Sequence, residues 1–184
     1  MVIKKYIFPF IILVLNLLST VNAIESGNIL VASKLLDDSS LEKTILLVVY
    51  NEDDGFLAIA INRPTNVNLS ELIPTNLKYN NHNVYFGGAE EPSKILALID
   101  NPKEPINDYL PIFDNVYLLS DIDLINEFNH DENSIRFFAG YFSWDIKKIN
   151  KDLELGLWVI EENNSDILFA NNPLTAWFEL NPEE

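Results

Sequence analysis

Two short polar motifs carry the residues whose chemistry would suit a functional site. Asn62-Arg63-Pro64 follows one apolar stretch of the chain, and Gly87-Gly88 follows another. The planar arginine fork binds a carboxylate or successive backbone carbonyls. A glycine pair at the end of a strand lets the backbone bend or approach a neighbour closely. One hypothesis is therefore a hydrolase-like enzyme with a site near Asn62, Arg63, Gly87 and Gly88.

A second candidate is the aromatic and glycine-rich segment 137–144, which contains Gly140, Tyr141 and Trp144. Aromatic side chains at this spacing can line a ligand cleft, but they more often build a hydrophobic core. Ser143 lies in the same segment, but it lacks the G-x-S-x-G pattern of a serine nucleophile. Core and cleft both stay open as interpretations.

The other polar residues indicate no catalytic, metal or cofactor site. The chain has no cysteine, and His82 and His130 stand alone in polar segments, whereas a zinc site needs several ligands. The acidic turn before Gly55 does not fit a calcium loop, because Tyr50 and Ile61 would fall at positions that require carboxylates. We therefore predict no catalytic residue, no metal and no cofactor, and we expect both histidines at the surface.

The charge of the chain excludes nucleic acid as a partner. The net charge is −16, and the first 23 residues contain two of the lysines and none of the acids. Residues 24–184 therefore carry ten cations against 28 acids, a net charge of −18. Affinity for duplexes and for anionic membrane surfaces comes largely from lysine and arginine, and this field would repel both.

The first 23 residues contain the three regions of a secretory signal peptide in the usual order. Lys4-Lys5 is followed by the apolar stretch Tyr6–Leu18 and by Val21-Asn22-Ala23, a suitable cleavage site. The expected mature protein begins at Ile24 and is periplasmic or secreted, without stable membrane association once the leader is cleaved. The alternative is a protein anchored in the membrane by an uncleaved leader. The intact mass of the protein from its own cell distinguishes the two.

The centre of the fold is predicted to be a hairpin of two apolar runs, Thr44–Tyr50 and Phe56–Ile61, joined by a short turn that ends in Asp54-Gly55. Neither run alternates polar and apolar residues, so both faces of this ribbon should be covered. Pro64 is expected to end the pairing, and a loop should follow it.

The remaining pattern predicts a single α+β domain at residues 24–184, because short strands and helices follow one another in irregular order. Strands are predicted at 27–33, 84–86, 95–99, 116–119 and 134–142, with a terminal hairpin of 157–160 and 167–170. Helices are predicted at 69–73, 120–128 and 145–153, and from Asn172-Pro173 onwards.

These stretches together resemble the AlgH/YqgE family of bacterial proteins. The resemblance rests on six pieces in the same order as in the family, namely Gly27–Ser33, Ile61-Asn62-Arg63-Pro64, Val84–Gly88, Gly140-Tyr141 with Trp144, Leu157-Trp158 and Leu168-Phe169. It implies an α+β fold in which a mixed, branched β-sheet curls into a pseudo-barrel with flanking helices. The segment after Trp144 departs from the family's Gly-Gln-Leu-Glu, which puts a ligand site built from those groups in doubt here.

Two classes of function follow from these observations. The resemblance implies no established catalytic activity, and with the missing catalytic groups it favours a non-enzymatic binding or regulatory module that acts through an unidentified protein or small ligand. The hydrolase-like enzyme is the alternative. The role of Arg63 is a further open question. Its side chain has either a structural role, clamping the hairpin exit to a neighbouring loop such as Gly87-Gly88, or a functional one, offering its fork to an anionic ligand.

Overall fold

The computed structural model describes residues 24–36, 40–52, 54–73, 78–100, 109–121, 124 and 134–181. The predicted leader, His130 and nearly all of the predicted helix 120–128 lie outside these ranges. The strands are β1 (Ile29–Ala32), β2 (Ile45–Glu52), β3 (Gly55–Ala60), β4 (Pro64–Asn68), β5 (Asn83–Phe86), β6 (Glu90–Asp100), β7 (Leu110–Phe113), β8 (Val116–Leu119), β9 (Ile135–Asp145) and β10 (Trp158–Glu161). The helices are α1 (Leu69–Leu72), α2 (Ile146–Glu154), α3 (Ser165–Leu168) and α4 (Pro173–Leu180).

The central hairpin is confirmed, and it lies in the interior of one sheet. The strand order is β10-β1-β2-β3-β9-β6-β8-β7, so β2 and β3 each have a neighbour on both sides. The sheet branches at β9, which is antiparallel to β3 and β6 and also parallel to β5, and β5 in turn pairs with β4. The fold is therefore α+β, with a mixed, branched sheet as its main element.

The sheet curls into a half-barrel around a hydrophobic interior. Alternate residues of the strands point inward, as the period of two along a strand requires. Trp177 and Ala176 of α4 and Leu168 of α3 join this interior cluster. The indole Nε1 of Trp177 donates to the carbonyl of Ala32 at 2.6 Å, which ties α4 to the end of β1. The two helices thus close one end of the half-barrel.

The outer face of the hairpin is covered by α2. Asp145 caps this helix by accepting from the amides of Lys147 and Lys148 at 2.8 and 3.1 Å. Ile149 is fully buried in the outer cluster, where it packs with Phe56 and Trp158. Burial of one such side chain stabilises the fold by roughly 1.5–3 kcal/mol. None of the described helices is long and apolar enough to cross a membrane.

Two predictions about local structure are wrong. Pro64 does not end pairing but begins β4, which pairs with β5. A proline is tolerated as the first residue of an edge strand, where its missing N–H is not needed. Residues 167–170 are not a strand, because Ser165 begins α3 and the Asn164 side chain accepts from the amide of Asp166 at 2.8 Å. The partner of β10 is β1 instead.

His82 also differs from expectation. Its ring is half-buried rather than solvated, and its centroid lies 5.3 Å from that of Tyr79 and 5.8 Å from that of Phe137. The side chain therefore contributes to packing. Among the described residues, no group of three or more histidines and acids is placed to hold a metal ion.

Candidate functional site

A cleft of about 190 Å³ opens into the half-barrel at the end opposite to α3 and α4. Its floor consists of inward-facing aliphatic side chains from four strands, Val49, Leu57, Leu96 and Leu118. These residues belong to or pack against the same interior cluster that Trp177 closes from the other end. The cleft, called the open end below, thus opens onto the largely buried interior of the half-barrel.

A β-bulge shapes the open end. The register between β2 and β3 shifts between Val48 and Tyr50, so that Tyr50 pairs with Leu57. A bulge re-aims the side chain that follows it, and here it places Tyr50 beside Leu57 at the edge of the cleft. The same two residues also line a shallower cleft of about 550 Å³, which continues to Ser143 and Trp144. The two clefts therefore adjoin.

Polar side chains form a connected group at the rim. The Tyr141 hydroxyl donates to Oε1 of Glu91 at 3.0 Å, and Nζ of Lys94 lies 3.6 Å from Oε2 of the same carboxylate. Lys94 also lies 5.8 Å from the centroid of the Tyr141 ring. The hydrogen bond to Glu91 is the main cause of a raised pKa for Tyr141. The phenol oxygen, whose proton is donated to Glu91, can still accept a hydrogen bond from a ligand.

Three glycines hold the strands together behind this rim. The amide of Gly87 donates to the carbonyl of Ala139 at 2.9 Å, and the carbonyl of Gly87 accepts from Ala60 at 2.8 Å. A Cβ on Gly88 would lie 2.0 Å from the carbonyl carbon of Tyr141. Gly140 has a φ of +70°, and a Cβ there would lie 2.5 Å from the carbonyl oxygen of Gly88. At Gly87, Gly88 and Gly140 the segment after β5 thus packs directly against the backbone of β9, and this close packing positions Tyr141.

Asn62, Arg63 and Pro64 lie at the opposite end of β3 from the open end. Leu57 and Asn62 are five residues apart, roughly 16 Å along a strand. Asn62 is 6% exposed, and its amide bridges the backbone of the preceding loop, accepting from the amide of Ile45 at 2.9 Å and donating to the carbonyl of Lys43 at 2.8 Å. Its polar atoms therefore serve the fold.

Arg63 binds the same loop. Its Nη2 donates to the carbonyl of Glu42 at 3.2 Å and to Oγ1 of Thr44 at 2.5 Å. Burial lowers the pKa of Arg63, and the nearby Glu42 charge opposes that shift. Only the backbone carbonyl of Arg63 turns toward the glycine segment, accepting from the amide of Phe86 at 2.9 Å. The clamp thus engages the loop before β2 and not the Gly87-Gly88 bend.

We expect Arg63→Lys to lower the free energy of unfolding by about 1 kcal/mol, because one guanidinium nitrogen serves two acceptors that an ammonium matches poorly. Thermal unfolding should then show a midpoint roughly 2–4 °C below that of the wild type. Lys147→Arg, an exchange at an exposed site, is the control and should change the midpoint little. A variant that melts like the wild type but loses a ligand would make Arg63 a binding residue.

The sequence predicted part of this site and missed the rest. Tyr141 lines the open end and Trp144 lines the adjoining cleft, where its ring stacks on Phe56 with centroids 5.6 Å apart. Asn62, Arg63, Gly87 and Gly88 line neither. The missed residues include Val49, Tyr50, Leu57, Lys94, Leu96, Leu110 and Leu118. They come from five strands, so no local motif unites them.

The fold and site define a class: a strand-dominated half-barrel, closed by helices at one end and apolar at the other. Residues 29–182 match the family model described as "DUF179: AlgH-like", and the chain belongs to this family.

Individual relatives agree with this assignment. A UPF0301 protein of Cytophaga hutchinsonii is 26% identical over 155 residues, covering 82% of this chain and 85% of that protein. A UPF0301 protein of Chlorobium phaeobacteroides is 24% identical over 158 residues, covering 84% and 83%. None of these names states an activity.

Two solved structures share the fold. Protein DIP2367 of Corynebacterium diphtheriae superposes with a TM-score of 0.69 at 15% identity, covering 86% of each chain. AlgH of Pseudomonas aeruginosa superposes with a TM-score of 0.67 at 19% identity, covering 85% of this chain and 88% of that one. At these identities the likeness concerns the architecture alone.

Proposed function

We propose that this protein is a non-enzymatic binding module that takes a small, apolar-bodied ligand at the open end of the half-barrel. The observation that carries this proposal is the apolar cleft that reaches the barrel interior between Val49, Leu57, Leu96 and Leu118. Mouths of β-barrels are common ligand sites, and an apolar lining with few polar groups is the usual composition of such sites.

The chemistry of the rim supports a neutral or cationic ligand. Glu91 and Lys94 partly neutralise one another, and the two acids Asp54 and Asp145 line the adjoining cleft. The chain as a whole carries a net charge of −16 and would repel an anion approaching this end. The apolar part of a ligand would contact the leucines, and its polar part would face the Tyr141 hydroxyl and the acids of the adjoining cleft.

The positions of the residues that a hydrolase would need support the binding module over an enzyme. The hydrolase hypothesis needs Asn62, Arg63, Gly87 and Gly88 to converge on a cleft. Their polar atoms are instead engaged with the backbone of the protein itself. Ser143 contacts Glu90 through its hydroxyl and, at 3.2 Å, through its amide, and these contacts tie the end of β9 to the start of β6. A structural role accounts for each of these groups.

Binding of a neutral apolar probe tests the proposal. The fluorescence of N-phenyl-1-naphthylamine should rise on titration with the wild-type protein as the dye enters an apolar site. Leu110→Glu should weaken this binding at least tenfold, because it places a charge at the edge of the cleft, where a bound apolar ligand would remove it from water without pairing it.

Val159→Glu is the matched control. Leu110 is 39% exposed on β7, and Val159 is 44% exposed on β10, away from the open end. Both substitutions place the same charge on a half-exposed aliphatic position of a strand. Equal dye binding by the two variants, or no binding by the wild type, would contradict a ligand site at the open end.

A further inference from the structure

A third cleft, of about 350 Å³, lies at the closed end of the half-barrel, where β9 begins. Asn81, Asn83, Asn171 and Arg136 are among the residues that line it. Arg136 and Tyr141 of the open end are five residues apart on β9, roughly 16 Å along the strand. This cleft is therefore separate from the proposed ligand site.

Arg136 is held rigidly in this cleft. Its guanidinium carbon lies 5.2 Å from the centroid of the Tyr85 ring and 5.7 Å from that of Phe169. Nη1 donates to the carbonyl of Leu168 at 2.5 Å, and Nη2 donates to the carbonyl of Ala170. These contacts fix the plane of the fork in advance, so little conformational entropy remains to be lost when a ligand binds.

The fork has donors beyond those that the protein engages. A guanidinium carries five N–H groups, and carbonyls of the described residues accept from two of them. Within the described ranges, Arg136 forms no ion pair with a carboxylate, although the chain contains 28 acids. None of the described residues that line the cleft is acidic.

Burial lowers the pKa of Arg136, and interaction with Tyr85 opposes that shift. The direction agrees with the geometry, because no acid among the described lining residues neutralises this half-buried cation. A buried charge needs a partner of opposite sign or a full set of hydrogen bonds. Here the aromatic rings and the carbonyls supply part of that compensation.

We propose that this cleft is an anion site, in which Arg136 and the asparagine amides bind the carboxylate or phosphate group of a small molecule. The N–H groups of Arg136 that Leu168 and Ala170 leave free would donate to the oxygens of such a group, and its positive charge would strengthen these hydrogen bonds. The amide of Asn171 and its neighbours at positions 81 and 83 add neutral donors around it. An acidic protein thereby gains a local site for a ligand that the rest of its surface would repel.

Two probes test the site and distinguish the chemistry of the ligand. Inorganic phosphate and benzoate are each titrated into the full protein at constant ionic strength, with chloride as the balancing anion. Binding should shift the NMR signals of the side-chain amides of Asn81, Asn83 and Asn171 and of Arg136 Nε. The probe with the higher affinity identifies the preferred group. No shift with either probe at 10 mM would overturn the proposal.

Two variants establish that the cleft is responsible. Asn171→Asp places a carboxylate at the cleft without touching the core, and it should weaken anion binding at least tenfold. Asn163→Asp makes the same charge change at an exposed position outside the cleft and should leave binding within about twofold of the wild type. Equal effects of the two would show a general charge effect and would overturn the site. Arg136→Lys keeps the charge, loses the fork and should also weaken binding.

Discussion

Gly88→Ala should destabilise this protein more than any other single methyl group added to a glycine. A Cβ at this position would lie 2.0 Å from the carbonyl carbon of Tyr141, 2.1 Å from its oxygen and 2.5 Å from the amide nitrogen of Phe142. All three contacts are with backbone atoms of β9, so no side-chain rotation relieves them. The strand itself would have to move.

That movement would disturb the branch point of the sheet. The segment around Gly88 joins β5, which is parallel to β9, to β6, which is antiparallel to it. Shifting β9 by about 1 Å would strain the ladder hydrogen bonds on both sides. We expect a loss of about 4 kcal/mol or more in the free energy of unfolding, an effect reserved for severe steric conflicts. At this size that corresponds to roughly 8–16 °C in the melting midpoint.

Gly156→Ala is the control, because it separates backbone strain from steric conflict. Gly156 has a φ of +68°, and a Cβ there would meet only Cδ1 of Leu35, at 3.8 Å. Its substitution should cost roughly 1–2 kcal/mol, the penalty of the left-handed conformation alone. Urea unfolding of both variants measures the difference. If the two substitutions cost the same, the close approach at Gly88 is not what constrains β9.

The centre of this fold could be predicted from the sequence because its determinants are local. The unbroken apolar runs of β2 and β3 identify a hairpin with neighbours on both sides. Asp145 caps α2, and the spacing of Ile146, Ile149 and Leu153 gives that helix its buried face. The second strand of the terminal hairpin was wrongly predicted, since apolar residues at 167–169 fit a strand or a short helix equally well.

The open end could not be predicted because its determinants are not local. Leu57, Leu96 and Leu118 are ordinary core leucines in sequence, and only the curl of the sheet brings them together as the floor of a cleft. The bulge that brings Tyr50 beside Leu57 has no marker in the sequence of β2. Asn62 and Arg63 misled the prediction in the opposite way. Their residue types suggested a functional site, but their side chains anchor the loop before β2.

Asn62→Asp should produce the second large effect, about 3 kcal/mol of destabilisation at neutral pH. The asparagine amide accepts from the amide of Ile45 and donates to the carbonyl of Lys43, and it thus continues the pairing of β2 and β3 beyond their ends. A carboxylate has the same shape and can still accept from Ile45. It cannot donate, so its charge would face the lone pairs of the Lys43 carbonyl in a buried site.

The pH dependence of this effect has a definite sign. Burial and the facing carbonyl should raise the folded-state pKa of the introduced carboxyl above its unfolded value of about 3.9. The protonated acid can donate to the carbonyl of Lys43, so the variant regains stability at low pH. It loses this stability again as the pH rises through the folded-state pKa. The deficit relative to the wild type should therefore shrink between about pH 8 and about pH 5.5.

Urea unfolding at both pH values measures the deficit, and Asn163→Asp supplies the reference. That substitution introduces the same charge at an exposed asparagine, and surface changes of this kind usually stay within about 0.5 kcal/mol. Subtracting it removes the effect of one further negative charge on a protein whose net charge is already −16. A deficit that is equal at the two pH values would mean that the missing proton is not the cause. A deficit no larger than that of Asn163→Asp would mean that the loop before β2 is held without Asn62, and Arg63 would then be its principal anchor.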